Sequence, residues 1–130
     1  MRILVVDDSE DARDLTEGAL LAVGYDDLLM ASSGWDGLTI LENFRTTNAR
    51  PAIDLVLLDI VMPEMDGVEV CARIRQDKQC ADLPIIMVTS LDDMDFLLDA
   101  FEAGANDYLT KPIDRIELVA RVRRALGEPD

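Results

Sequence analysis

Five short apolar runs recur down the chain, and helix-spaced apolar patterns follow them. The runs are Ile3-Leu4-Val5-Val6, Leu28-Leu29-Met30-Ala31, Ile53 to Leu58, Ile85-Ile86-Met87-Val88 and the shorter Tyr108-Leu109. The helical patterns are Ala12, Leu15, Ala19, Ala22 and Val23; Val70, Cys71 and Ile74; Leu97, Leu98 and Phe101; and Ile116, Val119, Ala120 and Leu126. Strands that are apolar throughout, rather than alternating, belong to a parallel sheet covered on both faces. The order therefore predicts an α/β fold, a doubly wound (βα)5 unit with five parallel strands. Boundary residues agree. Ser9 is placed to cap the first helix and Gly24 to end it, Asp66-Gly67 opens the third, Pro84 precedes a strand, and Gly104 closes the fourth helix. The stretch Arg45 to Pro51 reads as the longest surface loop.

A chain of 130 residues fits one domain, and one core is expected. Residues 1–126 are expected to form it, with 127–130 as a C-terminal tail or the start of a linker. The hydrophobic share is 49% and the charged share 30%, as in ordinary globular proteins. With 27 acidic against 12 basic residues the formal net charge is −15, a field that repels phosphate backbones and anionic lipid. The expectation is no direct nucleic acid binding and no membrane contact. Cys71 and Cys80 form no CxxC pair and there is no histidine, so neither zinc nor a disulfide framework is indicated, and a reducing, cytoplasmic setting fits. The first apolar run meets Asp7 and Asp8 too early for a signal peptide, and no run approaches the ~18 residues of a membrane span.

In an open parallel sheet, ligands bind beyond the carboxyl ends of the strands. Strand 1 ends in Asp7-Asp8, strand 3 in Asp59 and strand 4 in Thr89-Ser90; Lys111 follows strand 5. Three carboxylates converge there. At ~4 Å and an effective dielectric near 20 each pair repels by roughly 4 kcal/mol, so the group needs a counter-charge. Oxygen-only ligands select a hard divalent cation, with Mg2+ the cellular candidate, and Lys111 supplies a second positive charge. Cations facing a carboxylate nucleophile are a phosphoryl-transfer arrangement. An aspartate of ordinary pKa is already ionised at neutral pH and needs no general base.

Val5-Val6-Asp7-Asp8-Ser9, Leu57-Leu58-Asp59 through Asp66-Gly67, Val88-Thr89-Ser90 and Tyr108-Leu109-Thr110-Lys111-Pro112 together resemble the four signature segments of two-component receiver domains, the CheY-like superfamily. The resemblance covers the whole chain and implies a flavodoxin-like sheet of strand order 2-1-3-4-5. It implies that Asp59 accepts a phosphoryl group from a sensor histidine kinase or phosphotransfer protein. Asp7, Asp8, Asp59 and the backbone carbonyl of Val61 would hold Mg2+, and Lys111 would grip the phosphoryl oxygens. Thr89 would turn toward the new group and Tyr108 into the vacated space, switching the face of the fourth helix, fifth strand and fifth helix. Lys111-Pro112 would be cis, as X-Pro bonds alone readily allow.

That face is also where a homodimer is expected, with Asp95, Asp99 and Glu102 complementing Arg115, Arg121, Arg123 and Arg124. Leu118, Val122 and Ala125 sit beside the core stripe of the fifth helix. Bland roles are assigned to several other residues. Asp66 caps a helix, Cys71 and Trp35 pack, and Asp92-Asp93-Met94-Asp95 caps the fourth helix.

Val61 and Leu91, two residues beyond Asp59 and Thr89, are apolar and offer no group to orient water, which predicts a slowly hydrolysing phosphoaspartate. The alternative function is a Mg2+-dependent small-molecule phosphohydrolase using Asp59 as nucleophile. Such enzymes place a second aspartate where this chain has Val61, which favours a switch over an enzyme. A flavin module is disfavoured because Asp7-Asp8-Ser9-Glu10 stands where a Ser/Thr/Gly phosphate loop would be required.

Overall fold

The computed structural model describes residues 1–44 and 52–129. The loop expected over Arg45 to Pro51 lies outside the described residues. Strands and helices alternate as β1 (Arg2–Val6), α1 (Glu10–Leu21), β2 (Asp27–Ala31), α2 (Gly34–Asn43) and β3 (Leu55–Asp59). They continue as α3 (Gly67–Arg75), β4 (Ile85–Ser90), α4 (Leu97–Ala103), β5 (Asp107–Lys111) and α5 (Arg115–Ala125). All strand pairs are parallel and the order is β2-β1-β3-β4-β5, so the chain reverses direction of winding between β1 and β3. The doubly wound parallel fold of strand order 2-1-3-4-5 is thereby established.

Side chains that alternate along each strand feed two cores rather than the single one expected, because the central sheet separates its two covered faces. Leu4, Val6, Val56, Leu58, Ile85 and Met87 pack with Val70, Cys71, Ile74 and Leu97 on the face covered by α2, α3 and α4. Ile3, Val5, Leu55, Leu57, Ile86 and Leu109 pack with Ala19, Leu20, Leu118 and Val122 on the face covered by α1 and α5. β3, in the middle, is buried along its whole length, and this explains its unbroken apolar run.

Helix starts follow local chemistry. The Ser9 hydroxyl accepts from the Ala12 amide at 3.2 Å, the Asp66 carboxylate from the Glu69 amide at 2.9 Å, and Asp114 from the Ile116 amide at 2.8 Å. Each satisfies an amide that the helix itself leaves unpaired. Gly104 closes α4 at φ 118 and Gly24 follows α1 at φ 96, both in the left-handed region.

Three expectations are corrected. The acidic run Asp92 to Asp95 does not cap α4; it lies in a 3-10 helix over Leu91–Phe96, where Asp93 accepts from the Ser90 hydroxyl at 2.6 Å. In α5 the buried stripe is Leu118 and Val122, and Ile116 is 83% exposed. In α1 the buried residues are Thr16, Ala19 and Leu20, while Leu15, Ala22 and Val23 are exposed.

Candidate functional site

At the carboxyl ends of β1 and β3, Asp7, Asp8 and Asp59 each offer an oxygen within 4.8 Å of the others. Asp59 is the last residue of β3 and Asp7 follows β1 directly. Each is 5% exposed, and Asp8 is exposed. Lys111, which ends β5 itself rather than following it, reaches back with Nζ 3.1 Å from Asp7 Oδ2 and 3.2 Å from Asp59 Oδ2. The peptide bond after it, Lys111-Pro112, is cis as expected.

Burial, then the Asp7 charge, push the Asp59 carboxyl up to about 7 against the lowering effect of Lys111. Burial lowers Lys111, but the Asp59 and Asp7 carboxylates outweigh it and lift the ammonium above its ordinary value. The cluster thus carries more negative charge than one lysine comfortably neutralises. An oxygen-only donor set of this size and charge suits a hard divalent cation.

Two groups that the sequence reading passed over fix Asp7. Its Oδ1 accepts from the Ser9 amide at 2.9 Å, and its backbone carbonyl accepts from Arg13 Nη1 at 2.7 Å. The first is legible as a short-range turn in Asp-Asp-Ser; nothing in the sequence singles out Arg13. Gly67 was assigned only to a helix start. A Cβ there would collide with the Asp59 carbonyl oxygen and lie 2.8 Å from Ile60 Cα. Its amide instead donates to the Ile60 carbonyl at 2.7 Å, which draws the loop after β3 back against the end of that strand. In the same loop Glu64 adopts φ 69.

Val61 stands in that loop two residues beyond Asp59, its side chain 47% exposed, and Leu91 is 73% exposed. Thr89 is buried on β4, paired in register with Thr110, and its hydroxyl donates to the Ser90 carbonyl at 3.2 Å. Tyr108 on β5 is half-buried. Its ring meets Phe101 edge to face, with centroids 6.3 Å apart, and lies beneath the Arg121 guanidinium at 5.6 Å. Arg121 also pairs with Asp107 and with Glu117 in its own chain, so it is engaged before any acid of α4. Trp35 stacks under Arg73 and takes no part in the cluster. The structure thus brings Asp7, Asp8, Asp59 and Lys111 together, while Thr89 and Tyr108 lie on the neighbouring strands.

A parallel sheet with an acidic cluster and a lysine at its switch point suits phosphoryl chemistry at a carboxylate. The chain belongs to the family described as response regulator receiver domain, which it matches over residues 3–123. It is 38% identical over 129 residues to the DNA-binding dual master transcriptional regulator RpaA of Synechocystis sp., covering 99% of this chain and 50% of that protein. It is 42% identical over 122 residues to the response regulator PleD of Caulobacter vibrioides, covering 94% of this chain and 25% of that one. The chain therefore spans half or less of these two relatives. Among solved structures, the receiver domain of NtrX from Brucella abortus superposes with TM-score 0.84 at 29% identity, covering 98% of this chain and 99% of that one. The Vibrio cholerae chemotaxis protein CheY4 does so with TM-score 0.84 at 27% identity, covering 96% and 98%. The chain is a receiver module of two-component signal transduction, signalling rather than catalytic.

The expectation of partners without nucleic acid is overturned. RpaA, similar over almost all of this chain, is by its name DNA-binding. A summed charge of −15 describes these 130 residues, and repulsion from one module says nothing about the charge of the remaining half of such a protein. Among the described residues no helix is long and apolar enough to cross a membrane.

Proposed function

We propose that Asp59 is the phosphoacceptor, taking a phosphoryl group from the phosphohistidine of a sensor kinase or phosphotransfer protein. The observation that carries this is Asp59 buried at the end of β3 with both a lysine ammonium and two further carboxylates around it. An ionised Asp59 oxygen attacks phosphorus, the phosphorus–nitrogen bond of the donor breaks, and its electron pair leaves with the imidazole. Lys111 would contact the phosphoryl oxygens and exchange its present carboxylate partners for them. Asp7, Asp8, Asp59 and the Val61 carbonyl would hold Mg2+, which when bound neutralises charge on the transferring group.

Thr89 would give up its bond to the Ser90 carbonyl and turn toward the phosphoryl group, and Tyr108 would move inward from Phe101 and Arg121. The surface so changed is that of α4, β5 and α5. Residues 1–126 would form the receiver and 127–130 a tail or the start of a linker, a division supported by α5 ending at Ala125. The buried thiols of Cys71 and Cys80 suit the cytoplasm, where kinase and receiver meet. Only slow self-phosphorylation and dephosphorylation are expected. The likeness to RpaA supports a transcriptional output.

Incubation with acetyl phosphate and magnesium, read by intact mass, tests the assignment. One phosphoryl adduct is expected, absent in Asp59→Asn. An adduct that persists in that variant would refute it.

A further inference from the structure

Every polar atom of Asp7 is engaged. Its amide donates to the Ala31 carbonyl at 3.0 Å, its Oδ1 accepts from the Ser9 amide at 2.9 Å, and its Oδ2 meets Lys111 Nζ at 3.1 Å. Its carbonyl oxygen lies beyond the last rung of the sheet, since the pairing of β1 with both neighbours ends at Val6. That oxygen takes its bond from a side chain, Arg13 Nη1, at 2.7 Å.

Asp8 is the opposite case. It is exposed, and its carboxylate makes no hydrogen bond or ion pair among the described residues. Its direction is therefore set by the backbone that carries it. A peptide unit is planar, so fixing the Asp7 carbonyl also fixes the amide and Cα of Asp8.

Arg13 reaches that carbonyl from the start of α1. Its amide donates to the Ser9 carbonyl at 3.0 Å, and helical side chains lean toward the helix start, which carries this long one back over the turn from β1. The half-buried guanidinium makes no ion pair among the described residues, so the bond to the Asp7 carbonyl is what sets its place.

We propose that Arg13 is a positioning residue for the metal site: by holding the Asp7-Asp8 peptide, it aims the Asp8 carboxylate at the point where Asp7, Asp8 and Asp59 converge. The inference rests on the reading of these three acids as the Mg2+ site. Arg13 acts on a dication in two opposite ways. Its charge repels the ion, through a partly exposed group that solvent and salt screen. Its hold on the peptide favours the ion, because Mg2+ demands near-ideal octahedral geometry and a wandering carboxylate must first be ordered. Positioning outweighs repulsion.

The two effects predict opposite signs, and magnesium alone, titrated by calorimetry into the unphosphorylated protein, separates them. Arg13→Met, which removes the charge and the donors, should bind the ion about tenfold more weakly, the loss typical of a partner that orients a metal ligand. Arg13→Lys, which keeps the charge and a donor, should fall between Arg13→Met and the wild type. In Asp8→Asn, which has no carboxylate to aim, adding Arg13→Met should change the dissociation constant less than about twofold. Melting in chelator checks that each variant is folded at the titration temperature, and Arg13→Gln, uncharged and shorter, serves in place of an unfolded Arg13→Met. An Arg13→Met protein that binds magnesium as tightly as the wild type, or more tightly, would reduce Arg13 to a charge and overturn the proposal. So would Arg13→Lys binding no better than Arg13→Met, or an undiminished loss in the Asp8→Asn background. A wild type that binds no magnesium would overturn the reading of the site itself, and the proposal with it.

Discussion

Burial and the Asp7 charge hold the Asp59 carboxyl at about 7 in the ion-free protein, against an ordinary value of 3.8. The folded state therefore binds this proton more tightly than the unfolded one. That preference stabilises fully below the ordinary carboxylate value and is lost as pH rises through about 7. Asp59→Asn has no proton to lose there. In chelator, its melting temperature should exceed that of the wild type increasingly as pH rises across this window; parallel curves would count against the burial and charge argument. A second residue-scale expectation concerns Val61. Its exposed isopropyl group cannot orient water, so Val61→Asn should shorten the lifetime of the phosphoaspartate, read as adduct decay after donor removal; an unchanged half-life removes the argument. At this scale the acids and Lys111 were legible because strand-end positions follow from strand identity. Arg13 was not, since its bond to the Asp7 carbonyl depends on how α1 sits on the sheet.

The turn from β3 into α3 depends on a close backbone approach. Gly67→Ala would press a methyl group against Ile60 Cα and the Asp59 carbonyl, and overpacking of this kind costs roughly 1–3 kcal/mol. The variant should melt lower and accept phosphoryl from acetyl phosphate more slowly, because the strain falls on the strand end that carries Asp59. At the far end of α3, Arg75 donates to the Gly104 carbonyl from Nε at 3.1 Å and Nη2 at 2.9 Å, and from Nη1 to the Cys80 carbonyl at 2.6 Å. It ties the end of α4 to α3. Arg75→Ala removes these bonds, and the Gly104 carbonyl loses both of its guanidinium donors, at a cost of ~1–3 kcal/mol. Hydrogen exchange should accelerate in α4 more than in α1, and uniform acceleration would show that Arg75 contributes only to global stability.

Element types and order were readable from the sequence because strand and helix periods differ. Which of two apolar stripes on α1 or α5 turns inward was not, since Leu15 and Thr16, or Ile116 and Leu118, obey the same helical spacing. The 3-10 helix over Leu91–Phe96 escaped because acids before an apolar run look the same whether they cap or coil.

For the whole molecule, concentrated negative charge makes stability depend on cations. A divalent ion that binds only the folded state adds about 2.7 kcal/mol at a hundredfold excess over its dissociation constant. Magnesium should therefore raise the melting temperature, and Asp8→Asn should remove most of that increase. An equal increase in the variant would place the ion elsewhere. The fold and the strand ends were legible at this scale, but the charge sum misled about partners because it counted one module as though it were a whole protein.

The sheet divides the interior into two layers that share no helix. Leu20 of α1 and Val70 of α3 lie on opposite sides of it. Their truncations should add in free energy, whereas Leu20 and Val122, in one layer, should not. Substitutions can thus accumulate in one layer with little effect on what the other tolerates. A receiver built this way can change the partners on one side while keeping its response on the other.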